Sequence, residues 1–410
     1  MVGYAPASSL GWLDFDAAAS DRAATLLRAF EEPGTLDPIG LGSIRDAFSE
    51  LLSPGTSTVQ TRLRYFIFLP WIFQRLERER VGPTDFPRRL RHLEATLIDC
   101  LRHLGPNQGV QGFTSGKDLQ RMPSEAYWGG LGSWGVRRLD LTIAEYGQRI
   151  SSFGRRPLEV DDDGNPVRRA SPMWARLPEP PEDFLASEET FHLRPEEAAT
   201  LVDLIRRYHP RSLLAVATAF PGVAAEAERP WDLPPERLTG ELRHVLHHAR
   251  CASELLWGPQ LLYNLLLARR AEAELRWDTS ALVERLDAIL GTWTEQIVSR
   301  HGVYRAWADD LDGFWDVLGG PRAIPEPTRD FVSAMVRRVV QDPHRFVTDR
   351  EVHGLIRDRE VALKGGRARL ATLTALEGWN QQPFGSPLVY RWPITRSYLA
   401  DLADGLGAAE

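Results

Sequence analysis

Apolar positions recur at spacings of three and four along most of this chain, a period that predicts helices rather than strands. Residues 20–31 (SDRAATLLRAFE) start at a serine cap and end at the Pro-Gly of EEPGTLDP, which predicts one helix. A second covers about 42–52 and stops at Ser53-Pro54-Gly55. A third runs from about Ser57 to Arg80, with Pro70 as a kink. In 86–104, Leu90, Leu93, Leu97, Ile98, Leu101 and Leu104 form one apolar stripe. After a glycine-rich polar loop at 105–123, Ser124 caps an aromatic helix that continues to about Ile150.

The period fades over 154–190, where VDDDGNPV offers a turn and SPMWARLPEPPEDF is proline-rich and extended. It returns at 195–208 and at about 234–257, which Gly258-Pro259 ends, then at 259–275, 279–299, 328–341 and 348–364. Only LVYRW at 388–392 has the composition of a strand, before a last helix from Thr395. The fold class is mainly α: two helical domains or lobes, with a small α+β element of winged-helix-like type at the C-terminus. The expected divisions are an N-terminal helical domain (1–153), an extended linker (154–190), a central helical domain (191–320) and a C-terminal module (321–410) with one short strand or hairpin.

One segment departs from ordinary amphipathic helix. In GTSTVQTRLRYFIFLPWIF (55–73), a polar head runs directly into Tyr65–Phe73, which is apolar or aromatic apart from Pro70. The head is too polar for core and the tail too apolar for surface, so their boundary is the first place to look for a site.

Composition narrows the class. The 410 residues exceed the size at which one core keeps growing. Apolar residues at 43% and charged residues at 26% are ordinary globular usage, so global disorder is excluded. No apolar run approaches the roughly 18 residues that span a bilayer, and the first residues lack a signal-peptide pattern. A cytoplasmic protein without a membrane role is expected. Cys100 and Cys251 are too few for a disulfide framework. The net charge of −7 argues against a surface that attracts nucleic acid everywhere. Lys117 and Lys364 are the only lysines; the abundant arginines are spread along the whole chain, as GC-rich coding would leave them.

Three Arg/aromatic elements are nucleic-acid candidates. In the head, Thr58, Gln60, Arg62 and Arg64 can present donors and a helix N-terminus to phosphate; the plain alternative is a helix cap with arginines paired to acids. In YWGGLGSWGVRR, Tyr127 and Trp128 can stack on bases while Arg137 and Arg138 hold phosphates, although aromatics at this density more often form core. Near the end, Arg391 and Arg396 flank the expected strand. Arg357, Arg359, Lys364, Arg367 and Arg369 would add contacts there, but interleaved acids suit a solvated face.

Other motifs are weaker. Glu241, His244, His248 and Cys251 share one helix flank, and His at i and i+4 is metal-ligand spacing. Without the HExxH glutamate this stays a weak candidate, and no metal or cofactor is expected. GFTSGKD at 112–118 has three residues where a phosphate loop needs four, and Asp118 stands where that loop needs Ser or Thr. No GxSxG elbow, dinucleotide loop or CxxC pair is present.

GTSTVQTRLRYFIFLPW, with SSLGWLDF near the start, YW…WG at 127–135 and RWPITR near the end, resembles an uncharacterised bacterial domain-of-unknown-function family over nearly the whole chain. The resemblance implies a setting among helicases, phospholipase-D-like nucleases and other phage-defence functions. It brings no catalytic residue. The expectation is therefore an accessory component of a bacterial DNA-processing or anti-phage system that binds DNA, RNA, or helicase or nuclease subunits rather than catalysing. A hydrolase or nuclease-like enzyme with a site near 55–64, aided by His244 and His248, is one alternative. An assembly protein with an aromatic interface, built from the thirteen tryptophans, is another.

Overall fold

The computed structural model describes residues 37–153, 159–160, 166–167, 171–320 and 323–407. The helix expected at 20–31 and the SSLGWLDF motif lie outside these. The described residues are mainly helical. They divide into two compact units that interleave in sequence: Glu50–Glu228 with the segment from Arg391, and residues 37–49 with Arg229–Tyr390. Helix α1 (Gly42–Leu52) carries the chain from one unit into the other.

The first unit is organised by α2 (Tyr65–Arg78), in which every residue from Tyr65 to Phe73 is buried. It packs against α3 (Phe86–Leu101), α4 (Pro123–Ser133) and α5 (Ile143–Phe153). Aromatic rings fill the joints: Phe66 stacks on Trp134 at 4.0 Å, and Phe73 meets Trp128, Tyr146 and Trp174 at 5.1, 5.1 and 5.3 Å. A two-residue hairpin, β1 (Glu159–Val160) with β2 (Pro166–Val167), is the only pair of strands among the described residues. Then come α6 (Pro195–Tyr208), α7 (Leu213–Ala217) and α8 (Pro221–Glu226).

The second unit is built on α9 (Gly240–Leu275), a 36-residue helix capped by Thr239, whose Oγ1 accepts from Leu242 N at 3.2 Å. It packs against α10 (Ser280–Ser299) and α11 (His301–Asp309); α12 (Leu311–Val317) follows. α13 (Glu326–Gln341), α14 (Pro343–Phe346), α15 (Arg350–Lys364) and α16 (Leu373–Glu377) complete the unit. The first unit then closes with α17 (Trp392–Gly407), laid on α8 and α6.

Several expectations are corrected. Gly258-Pro259 does not end a helix. Gly258 lets the Trp293 ring lie directly against α9, and the side-chain amides of Gln260 and Asn264 bond back to Leu256 O (3.1 Å) and Gln260 O (2.7 Å). Packing thus carries the helix through a proline that would break it in isolation. The aromatic helix stops at Ser133 and a new one starts at Ile143. LVYRW forms no strand: Tyr390 and Arg391 are both left-handed, at φ 49° and 60°, which no strand accommodates, and Trp392 already starts α17. The C-terminal winged-helix-like element is therefore not formed. Arg359, expected on its surface, is buried, donating to Ile39 O at 3.0 Å and Thr328 Oγ1 at 2.8 Å.

Candidate functional site

The polar head does not open a helix, as α2 begins only at Tyr65. Residues 55–64 turn instead, and the reason lies in where their donors go. The N–H groups of Thr61 and Arg62 donate to Tyr127 Oη at 2.8 and 3.0 Å, and that hydroxyl donates to Arg62 O at 2.8 Å. Leu63 N donates to Asp401 Oδ2 at 2.8 Å. Partners remote in sequence thus replace the bonds a helix would have made.

Gln60 is spent entirely. Its Nε2 donates to Gly55 O and Ala126 O, each at 3.3 Å, and its Oε1 accepts from Ser57 N and Tyr398 Oη, each at 2.9 Å. Its neighbour Gly130 has to be glycine, because a Cβ there would sit 2.5 Å from Gly55 O and 2.8 Å from Phe66.

The arginines are committed as well. Arg62 forks onto Asp401, with Nε–Oδ1 at 3.0 Å and Nη2–Oδ1 at 2.6 Å, and lies over Phe191 at 4.9 Å. Burial pushes the Asp401 carboxyl above its ordinary value, against the pull of Arg62 and Leu63 N. Arg64 is buried and donates to Glu197 at 3.0 and 3.2 Å and to Thr190 O at 2.8 Å. Arg391 donates to Thr56 O and Glu50, both at 2.6 Å, and Arg396 to Ala225 O at 3.0 Å. Arg137 is buried over Trp128 at 5.1 Å. Tyr127 and Trp128 are fully buried, the Trp128 Nε1 donating to Leu141 O at 2.7 Å. Of the ten candidates, only Thr58 and Arg138 are exposed. Apart from Thr58 and Arg138, these side chains are spent on acceptors or aromatic neighbours within the unit.

Beside the head opens a cleft of about 590 Å³. One wall is the head itself, through Thr58, Thr61 and Arg62. The second is the tip of the 105–123 loop, Asn107–Gly109, and the third is α17, through Ile394, Ser397, Ala400 and Asp401. The loop tip is tied down: Thr61 Oγ1 donates to Gly109 O at 2.6 Å and Arg62 Nη1 to Gln108 O at 3.2 Å. Ser397 Oγ donates to Thr61 O at 3.1 Å and fastens α17 to the head. With Arg62 paired to Asp401, the walls carry no unbalanced charge. Asp401, Ser397, Asn107 and Gln108 escaped sequence reasoning. The available signal for Asp401 was a carboxylate one turn from Tyr398 and one residue from Leu402, on a buried helix face.

The histidine flank lies in the second unit. Trp307 Nε1 donates to His248 Nδ1 at 2.8 Å, and His248 Nε2 lies 3.2 Å from His244 Nε2. Indole can only donate, so Nδ1 is the unprotonated nitrogen and Nε2 carries the proton toward His244. Neither nitrogen of His248 is open to a metal. Burial also pushes the Cys251 thiol up to about 12. No cluster of three or more candidate ligands occurs among the described residues.

Burial, and then His244 and His247, depress His248 to about 4 from 6.5. Its contribution to stability is complete above pH 6.5 and is lost as pH falls toward 4. Roughly 3 kcal/mol should disappear over that window. Urea midpoints of wild type and His248→Asn should diverge over that window, the wild type losing more as pH falls; parallel curves would refute the assignment.

Fold and site together define a mainly helical protein whose polar head is a loop fastened from within, beside an open neutral cleft. The chain belongs to DUF6361, a family of unknown function, which matches residues 7–406. No curated protein matches the chain, and no solved structure matches it. No helix among the described residues is long and apolar enough to cross a membrane.

Proposed function

We propose that this chain is an accessory component of a bacterial DNA-processing or anti-phage defence system that acts by binding a partner subunit rather than by catalysis. The defence setting rests on the resemblance carried by GTSTVQTRLRYFIFLPW. The choice of a protein partner over nucleic acid rests on one observation: Arg62, Arg64, Arg391 and Arg396 are bonded inside their own unit, so few cations remain at the head for phosphates. Seven of the thirteen tryptophans, Trp71, Trp128, Trp134, Trp174, Trp293, Trp307 and Trp392, are fully buried and so cannot contribute to an aromatic interface. The polar groups of the head mostly hold backbone in place, which favours binding over the enzyme alternative.

A mobility shift against single- and double-stranded DNA and RNA over a salt series tests the choice. Little retention is expected, and co-purification with helicase or nuclease subunits of the same system is expected instead. Retention that falls steeply with salt, and falls further in Arg138→Ala, would restore the nucleic-acid reading.

A further inference from the structure

We infer that the cleft beside the head takes an extended, uncharged stretch of polypeptide from the partner, bonding to its main-chain amides. This rests on the partner-subunit reading and adds where contact is made. Shape is the first ground. The three walls leave an open trough rather than an enclosed chamber, whereas small-molecule sites bury most of their ligand. A chain segment can lie along a trough and extend beyond it.

Charge is the second ground. The single cation of the lining, Arg62, forks onto Asp401, and the other lining groups are neutral. A phosphate backbone would find no uncompensated cation there. A charged peptide side chain would have to compete with a bidentate pair whose carboxylate is 4% exposed.

Chemistry is the third. Asn107 and Gln108 are exposed at the loop tip, and each carries an amide that both donates and accepts. That is the pairing an extended peptide's N–H and C=O require. Thr58 adds an exposed hydroxyl, while Ile394 and Ala400 give an apolar patch for one side chain. The wall bearing these amides is already fixed by Thr61 and Arg62, so little ordering cost remains on binding.

The test uses the full chain and a phage-displayed library of random linear peptides as probe. Selected peptides are then measured against wild type, Ala400→Trp and the double change Asn107→Ala/Gln108→Ala. Ala400 is exposed, so a tryptophan there fills the trough without removing a bond, and the loop amides are exposed as well. Binding should weaken roughly tenfold or more in both variants, with unchanged melting. Should Ala400→Trp fail to fold, the double variant decides alone.

Failure to select any peptide, or equal binding to the variants, would overturn the inference. So would displacement of the peptides by oligothymidine in a salt-dependent way. A defence subunit that co-purifies equally with wild type and the cleft variants would overturn the site while leaving the partner reading standing. If no subunit co-purifies at all, that reading fails instead.

Discussion

Glu197→Ala is expected to destabilise the first unit by about 3–5 kcal/mol, more than removing either arginine that Glu197 holds. The carboxylate is fully buried and accepts from Arg64 Nε at 3.0 Å, Arg64 Nη2 at 3.2 Å, Arg194 Nε at 2.8 Å and Arg194 N at 2.9 Å. Without it, a guanidinium packed over Phe68 at 4.9 Å keeps its hydrogen bond to Thr190 O and the weaker attraction of Glu189. Burying a charge without its counter-charge is the costly outcome, far more than losing the pair as a whole. Arg64→Ala leaves Glu197 its bonds to Arg194 and should cost roughly 2 kcal/mol. Arg194 is 36% exposed, and Arg194→Ala should cost less than about 1 kcal/mol. Urea unfolding followed by tryptophan fluorescence would rank the three. The double change Glu197→Leu/Arg64→Met should recover most of the loss. A Glu197→Ala midpoint like that of Arg194→Ala would show that the pair is solvated and has no such role.

The regular helices could be read from the chain because their side chains follow one local rule. Expected spans at 42–52, 195–208, 328–341 and 348–364 lie within about two residues of α1, α6, α13 and α15. In the 55–73 segment the apolar half is helix as expected, but the polar half, expected to be helix as well, is not. Nothing local announces that Thr61 and Arg62 give their N–H groups to a tyrosine some 65 residues away, or Leu63 to an aspartate 338 away. Arg62 looked like a phosphate ligand for the same reason: its acceptor is on the last helix. Gly258-Pro259 misled in the opposite direction, because the contact with Trp293 outweighs a strong local signal. Residues at such sites look chemically available in sequence because their partners are invisible there.

Tyr127→Phe removes one oxygen and is expected to cost about 2–4 kcal/mol, from three backbone groups losing a partner together. The hydroxyl accepts from Thr61 N and Arg62 N and donates to Arg62 O. The ring itself stays, still 5.1 Å from Tyr65 and edge-on to Phe66 at 5.2 Å, so packing is held constant. Burial pushes this phenol up to about 12, so it remains a neutral donor across the physiological range and the loss should not depend on pH there. The effect should also reach the cleft. Thr61 holds Gly109 O and accepts Ser397, so loosening the head loosens all three walls. Hydrogen exchange should therefore quicken at Thr61 and Arg62 first, and peptides selected on wild type should bind more weakly to Tyr127→Phe. Unchanged exchange at those two amides would mean that Asp401 and Gln60 alone hold the head, and that the cleft does not depend on this hydroxyl.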